Sequence, residues 1–245
     1  MLGRAGVFKL RHATPQSATA KMLSTLALSF AWAPWPLIAP KADECPAVTT
    51  VGSANFNLTE YVRKSWYIQA QQVESYQPLD SLYCVTATYD LDGATVPFFR
   101  GTVVTVYNYG NKGAVNGPNV NKNNMTLCAR ATNASDTSRL AVAPCFLPNL
   151  AAGPYWLLGV GADASGEYEW AVVIGGNPTV AYADGCTTSE TGINNAGLWL
   201  FSRSPVASDA TMAAMRDLLT AQNISQSRLH TVPHDGCKYA GAVLK

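Results

Sequence analysis

Tyr155-Trp-Leu-Leu158 and Tyr168-Glu-Trp-Ala-Val-Val-Ile174, separated by a segment that contains Asp163-Ala-Ser-Gly166, decide how this chain is read. In the second segment Tyr168, Trp170, Val172 and Ile174 share one face, a period of two that belongs to a strand. Asp163 to Gly166 has the composition of a hairpin turn, so the two segments predict an antiparallel pair. Working outward, Tyr83-Cys-Val-Thr-Ala-Thr-Tyr89 alternates in the same way, with Tyr83, Val85 and Tyr89 on one face. Further strands are predicted at Trp66–Gln71, Thr102–Tyr109, Thr126–Thr132, Arg139–Ala143 and Gly197–Ser202. About eight short strands with polar turns between them suit either a sandwich or a small barrel. The Asn- and Gly-rich stretch Gly110 to Asn124 has no period and reads as a wide connection. Helical spacing occurs once after Cys45: Ser208 can cap, Asp209 lies in the first turn, and Met212, Met215, Leu218 and Leu219 form a stripe that packs outside the sheet.

Composition excludes several function classes. The chain has 245 residues, 48% hydrophobic and 13% charged, with 17 basic against 16 acidic side chains. That balance gives no basic field for nucleic acid, and the apolar content is too high for a disordered chain. No apolar run approaches the roughly 18 residues of an integral membrane span. A single compact all-β domain is predicted over 43–245, preceded by a leader over 1–42. Met1 to Ala42 holds no Asp or Glu, and Arg4, Lys9, Arg11 and Lys21 precede the apolar Met22 to Ala33, the layout of a cleaved secretory signal. An organelle transit peptide has similar chemistry, so the reading is a secretory lumen or secretion, with the plastid as the alternative.

The six cysteines, Cys45, Cys84, Cys128, Cys145, Cys186 and Cys237, all follow the leader and form no CxxC pair, which reads as three disulfides in an oxidising compartment. Sequons at Asn57, Asn124, Asn133 and Asn223 predict surface glycosylation. Catalytic chemistry is thin. Outside the leader the only histidines are His230 and His234, and Pro233 between them breaks the helix that a zinc site of HExxH type needs. With no G-x-S-x-G elbow, no P-loop and no thiolate left after oxidation, the expectation is a protein with no catalytic residues, no metal and no cofactor.

Three segments together carry a resemblance. Cys45-Pro46 followed by Phe56-Asn-Leu-Thr-Glu-Tyr-Val-Arg-Lys-Ser-Trp66-Tyr67 resembles the opening of a lipocalin, with Lys64 where the G-x-W-Y motif has glycine. The Tyr155 to Gly176 hairpin is similar to the late strands of lipocalins related to apolipoprotein D and to bacterial and plant members. Leu198-Trp-Leu-Phe-Ser-Arg203-Ser-Pro205 and the helix after it resemble the last strand of that group and its arginine. The resemblance implies an eight-stranded antiparallel up-and-down barrel with one helix outside, one end closed and the other open. It implies that Arg203 stacks on Trp66 as a lid at the closed end, worth on the order of 1 kcal/mol. With Lys64 in place of glycine, a different entry turn is predicted. It also implies disulfides Cys45–Cys186 and Cys84–Cys237, which leaves Cys128 to Cys145.

The function implied is binding, transport or storage of a small hydrophobic ligand (a sterol, retinoid, carotenoid, tetrapyrrole or fatty acid) in the barrel. Tyr83, Tyr89, Tyr107, Tyr155, Tyr168 and Trp170 are the candidate cavity walls. Two other readings compete with it: an enzyme on the same barrel that acts on a lipid or xanthophyll, and a filled barrel that works through its surface.

Overall fold

The computed structural model describes residues 45–121 and 123–245; the leader expected over 1–42 lies outside the described residues. Eight antiparallel strands form a closed meander: β1 (Trp66–Gln72), β2 (Tyr83–Asp90), β3 (Val103–Asn111), β4 (Thr126–Ala131), β5 (Arg139–Pro144), β6 (Gly153–Ala162), β7 (Tyr168–Ile174) and, two short strands later, β10 (Leu198–Ser202). Each pairs with its predecessor in this series, and β10 returns to β1 with Tyr67 opposite Ser202 and Gln71 opposite Trp199. Closure removes both sheet edges and settles barrel over sandwich. The short β8 (Val180–Tyr182) and β9 (Gly185–Thr187) form a separate hairpin. Among the described residues, no helix is long and apolar enough to cross a membrane.

Two apolar layers follow from the pleat. Inside the barrel lie Trp66, Ile68, Val85, Tyr89, Val104, Leu157 and Phe201 among others, with Tyr61 from the short helix α1 (Leu58–Tyr61). Outside lie Leu158, Val172, Ile174, Leu198 and Leu200, covered by α2 (Asp209–Ala221) through Met215 and Leu219. Ser208 caps α2 by accepting from the Thr211 N–H at 3.1 Å, and Thr211 Oγ1 donates to Glu169 at 2.8 Å, fixing the helix to β7. The stripe read from the sequence is thus the face that covers the barrel. The wide connection begins two residues later than predicted, because β3 runs on through Gly110 and Asn111; the side chain of Asn121 then ties the loop to Asn108 O and Met125 O, each at 2.9 Å.

The C-terminal tail contributes an element the sequence did not reveal. β2 pairs with β1 only at Trp66 and Tyr67, and at its other end Cys84 has a left-handed backbone (φ 53°) with a register shift between Tyr83 and Thr86. The far half of β1 pairs instead with β11 (Leu229–Thr231). Val232 N–H donates to Gln69 O and Cys84 N–H to Pro233 O, both at 3.0 Å, so the tail fills the seam between β1 and β2. His234 Nε2–H donates to Ile68 O at 2.8 Å, which leaves Nδ1 to accept from the Tyr239 hydroxyl at 2.8 Å. Burial holds the His234 pKa below its ordinary value, consistent with this neutral tautomer.

Three disulfides, Cys45–Cys186, Cys84–Cys237 and Cys128–Cys145, join the pairs that the resemblance implied. Cys84–Cys237 clamps the tail at the seam. Replacing both cysteines by serine is expected to cost about 2–5 kcal/mol in urea unfolding. It should also speed hydrogen exchange of the β11 and Cys84 amides while leaving α2 protected; uniform loss of protection across the barrel would show that the tail has no separate role in sealing it.

Candidate functional site

The closed end is built around Arg203, the residue after β10. Its Cζ lies 3.5 Å from the centroid of the Trp66 ring. Nε–H donates to Tyr168 O at 3.3 Å, Nη2 to Glu60 O and Tyr61 O at 3.0 Å each, and Nη1 to Ser65 O at 3.3 Å and to Lys64 O. All five N–H groups of the guanidinium are thereby used. Burial brings its pKa down to about 10, which still leaves it charged at neutral pH. Lys64 makes the entry turn without a left-handed backbone, and its carbonyl serves Arg203. Outside the plug, Glu167 pairs with Arg63 at 2.8 Å and Lys64 at 3.1 Å.

Directly above the plug stand three tyrosines. The Tyr155 hydroxyl lies 2.6 Å from that of Tyr61 and 2.6 Å from that of Tyr89. Tyr61 arrives from α1, whose cap Asn57 accepts from the Glu60 N–H at 3.2 Å, while Tyr89 and Tyr155 project inward from β2 and β6. Burial raises all three phenol pKa values, that of Tyr89 to about 12, and the close approach of the hydroxyls adds to the shift at Tyr61 and Tyr155. The floor of the barrel is therefore a chain of neutral hydroxyl groups at neutral pH.

Exposure changes along the lumen. At the base Trp66, Tyr61 and Ala171 are at 0% exposure, and Leu157 and Val173, level with Trp199, are sealed as well. Nearer the mouth, Leu127, Val142, Tyr155 and Trp199 point inward yet are only half-buried, and Trp199 stacks on Tyr155 with centroids 6.4 Å apart. The lumen is sealed at its floor and keeps part of its inward surface exposed toward the mouth. Loops at the open end carry exposed Leu79, Val120, Met125, Phe146, Leu150 and Ile193, an apolar rim.

The six aromatic residues singled out in the sequence do not form one wall. Tyr89 and Tyr155 are in the cup. Tyr168 belongs to the plug, stacked on Phe56 at 6.3 Å and accepting from the Asn57 N–H at 2.8 Å. Tyr83 is half-buried at the mouth end of β2 opposite Asn111. Two placements correct the expectation. Trp170 faces outward under α2 and lies across Gly161, where a Cβ would come within 2.0 Å of its Nε1. Tyr107 also faces outward, packed under the tail with its hydroxyl donating to Gly241 O at 3.2 Å. Both sit on strands whose outer faces are covered, by α2 and by the tail, so apolar character there does not mark the lumen. The sequence reading missed Tyr61, Trp199 and Gln71. Trp199 alternates with outward Leu198 and Leu200, but in an all-apolar strand that alternation is hidden.

Gln71 and Glu74 are among the buried polar side chains near the mouth that lack full satisfaction. Gln71 lies opposite the inward Trp199, and its Nε2 donates to Gln77 Oε1 at 3.0 Å while its Oε1 has no partner. Neither carboxyl oxygen of Glu74 has a partner. Burial, aided by Glu190, raises the Glu74 pKa from 4.5 to about 8. Among the described residues no group of His, Cys, Asp and Glu is arranged to hold a metal, and no cysteine is free. Asn57, Asn124, Asn133 and Asn223 are all exposed.

No protein-family model matches the sequence, and no curated protein matches it. Among solved structures, the chain is similar to the major allergen Per a 4 from cockroaches (17% identity, 80% of this chain and 96% of that one, TM-score 0.48). It is also similar to lobster apocrustacyanin A1 (18% identity, 75% and 83%, TM-score 0.48). Insecticyanin from the tobacco hornworm Manduca sexta follows at 16% identity, 77% and 85% coverage and a TM-score of 0.46. The barrel assignment rests on the strand order above and not on these similarities.

Glu74 yields a pH prediction. Its folded-state pKa lies above the unfolded value, so its contribution is complete below pH 4.5 and is lost as pH rises through about 8. Glu74→Gln should match the parent at pH 4.5 and exceed it by roughly 1–3 kcal/mol at pH 8.5 in urea unfolding. A constant difference across that range would remove Glu74 as the titrating group.

Proposed function

We propose that this chain is a lipocalin that binds, and carries or stores, one small apolar molecule in the upper half of its barrel. One observation carries the reading: toward the mouth the inward side chains of Leu127, Val142, Tyr155 and Trp199 are half-buried, whereas Trp66, Tyr61 and Ala171 at the base are sealed. A barrel filled by its own side chains would bury both sets alike. Closed meander, plugged base and outer helix are the architecture that the sequence resemblance implied. Trp199 stacked on Tyr155 offers aromatic surface, which favours a flat or polyene ligand such as a sterol, retinoid, carotenoid or tetrapyrrole, with fatty acids next. The ligand-contacting set proposed is Tyr89, Tyr155, Trp199, Leu127 and Val142. The apolar rim gives such a molecule an entry path.

Three disulfides and the acid-free leader support a secreted or secretory-lumen protein, glycosylated at the exposed Asn57, Asn124, Asn133 and Asn223. The reading asks only for binding, and neutral phenols over an apolar cup suffice for it.

The test is a titration with a planar neutral fluorophore such as 1-aminoanthracene. The parent should bind one equivalent, Trp199→Ala should bind about tenfold more weakly, and Trp170→Phe should bind as the parent does. Weakening by Trp170→Phe with no effect of Trp199→Ala would place the ligand outside the barrel.

A further inference from the structure

Three phenols carry three O–H protons, and a chain of three hydroxyls joined by two contacts uses only two of them. The hydroxyls of Tyr61, Tyr155 and Tyr89 make those two contacts, at 2.6 Å each, and have no other hydrogen-bond partner among the described residues. Whichever way the protons are ordered along these two short contacts, one O–H is left over, with only the weaker approach between Tyr61 and Tyr89 or the lumen to turn to. The chain borders the open part of the lumen, because Tyr155 is half-buried and stacked on Trp199. A buried donor left unmade is costly, and an apolar molecule that reached the floor would seal it from water. Beneath the phenols, Arg203 places a positive charge with no carboxylate paired to it, its Nη2 donating to Tyr61 O at 3.0 Å. Field and leftover proton thus favour the same partner, an electron-rich oxygen, and disfavour an ammonium or a bare hydrocarbon end.

We propose that the Tyr61–Tyr155–Tyr89 hydroxyl chain is the polar anchor of the cup, selecting an apolar ligand that enters with a hydrogen-bond-accepting oxygen, a carbonyl or a carboxylate, foremost. This rests on the carrier reading and adds the orientation and head-group chemistry of the ligand. High phenol pKa values keep the floor a donor across the neutral range.

Three probes of matched body test it: 2-decylnaphthalene, 2-acetyl-6-decylnaphthalene and 6-decyl-2-naphthoic acid. Each is titrated into the parent protein and into the triple variant Tyr61→Phe, Tyr89→Phe, Tyr155→Phe, which keeps every ring and removes every hydroxyl of the chain. The parent should bind the ketone or the acid about tenfold more tightly than the hydrocarbon, the worth of one net hydrogen bond. Whichever of the two binds more tightly identifies the head group as carbonyl or carboxylate. The triple variant should bind ketone and hydrocarbon alike and the hydrocarbon at least as tightly as the parent does. In infrared spectra the C=O stretch of the bound ketone should move to lower wavenumber in the parent and not in the variant; the parent's selectivity and this band stand even if the variant fails to fold. Equal binding of all three probes by the parent, or selectivity retained in the folded variant, overturns the anchor alone. Binding of none of them overturns the carrier reading and the anchor with it.

Discussion

Arg203 brings a full positive charge into the closed end of the barrel, and no carboxylate among the described residues forms an ion pair with it. Its N–H groups end instead on main-chain carbonyls of Glu60, Tyr61, Lys64, Ser65 and Tyr168, while its face rests on Trp66. A planar guanidinium can reach carbonyls from α1, the entry to β1 and β7 at once, and can stack on an indole as it does so; a lysine ammonium offers neither. The consequence is topological. β10 and β1 are far apart in sequence and must meet to close the sheet, and Arg203 ties the exit of one to the approach of the other. Because the same contacts hold α1, they also set Tyr61 beneath the lumen.

From that plug the molecule is asymmetric along the barrel axis. The base is buried, a band of hydroxyls lies above it, and toward the mouth Leu127, Val142, Tyr155 and Trp199 point inward while only half-buried. The wall is completed in two ways. Seven of its junctions are paired strands along most of their length, whereas β1 and β2 separate beyond Trp66 and Tyr67 and the gap is filled by β11 and the tail. An open cup needs a wall that does not leak water sideways. The tail, the Cys84–Cys237 bridge and the His234 contact to Ile68 supply that wall where the meander alone does not.

Most of the barrel was legible because its strands are short, alternate with period two and are separated by turn residues. All eight strand expectations fell on observed strands, and the α2 stripe found the face it covers. The site was less legible for a specific reason. Alternation tells which residues share a face but not which face is inside, and here the outer face is also covered. Trp170 and Val172 share a face as read, yet that face lies under α2; Tyr107 lies under the tail. Trp199 was hidden by its neighbours, Leu198 and Leu200, which bury themselves just as well on the other side. Tyr61 belongs to one helical turn ahead of the first strand, where no period marks a lumenal residue. β11 was out of reach because three residues paired to a single strand leave no pattern of their own. The leader lies outside the described residues.

Native mass spectrometry of the mature protein isolated from its source, before and after mild organic extraction, tests the open cup most directly. The account predicts one small molecule bound per chain, released by extraction, apolar over most of its surface and carrying a carbonyl or carboxylate oxygen at one end. An intact mass with nothing bound, unchanged when lipids and pigments are added to the extracted protein, would contradict it and leave a barrel that acts through its surface.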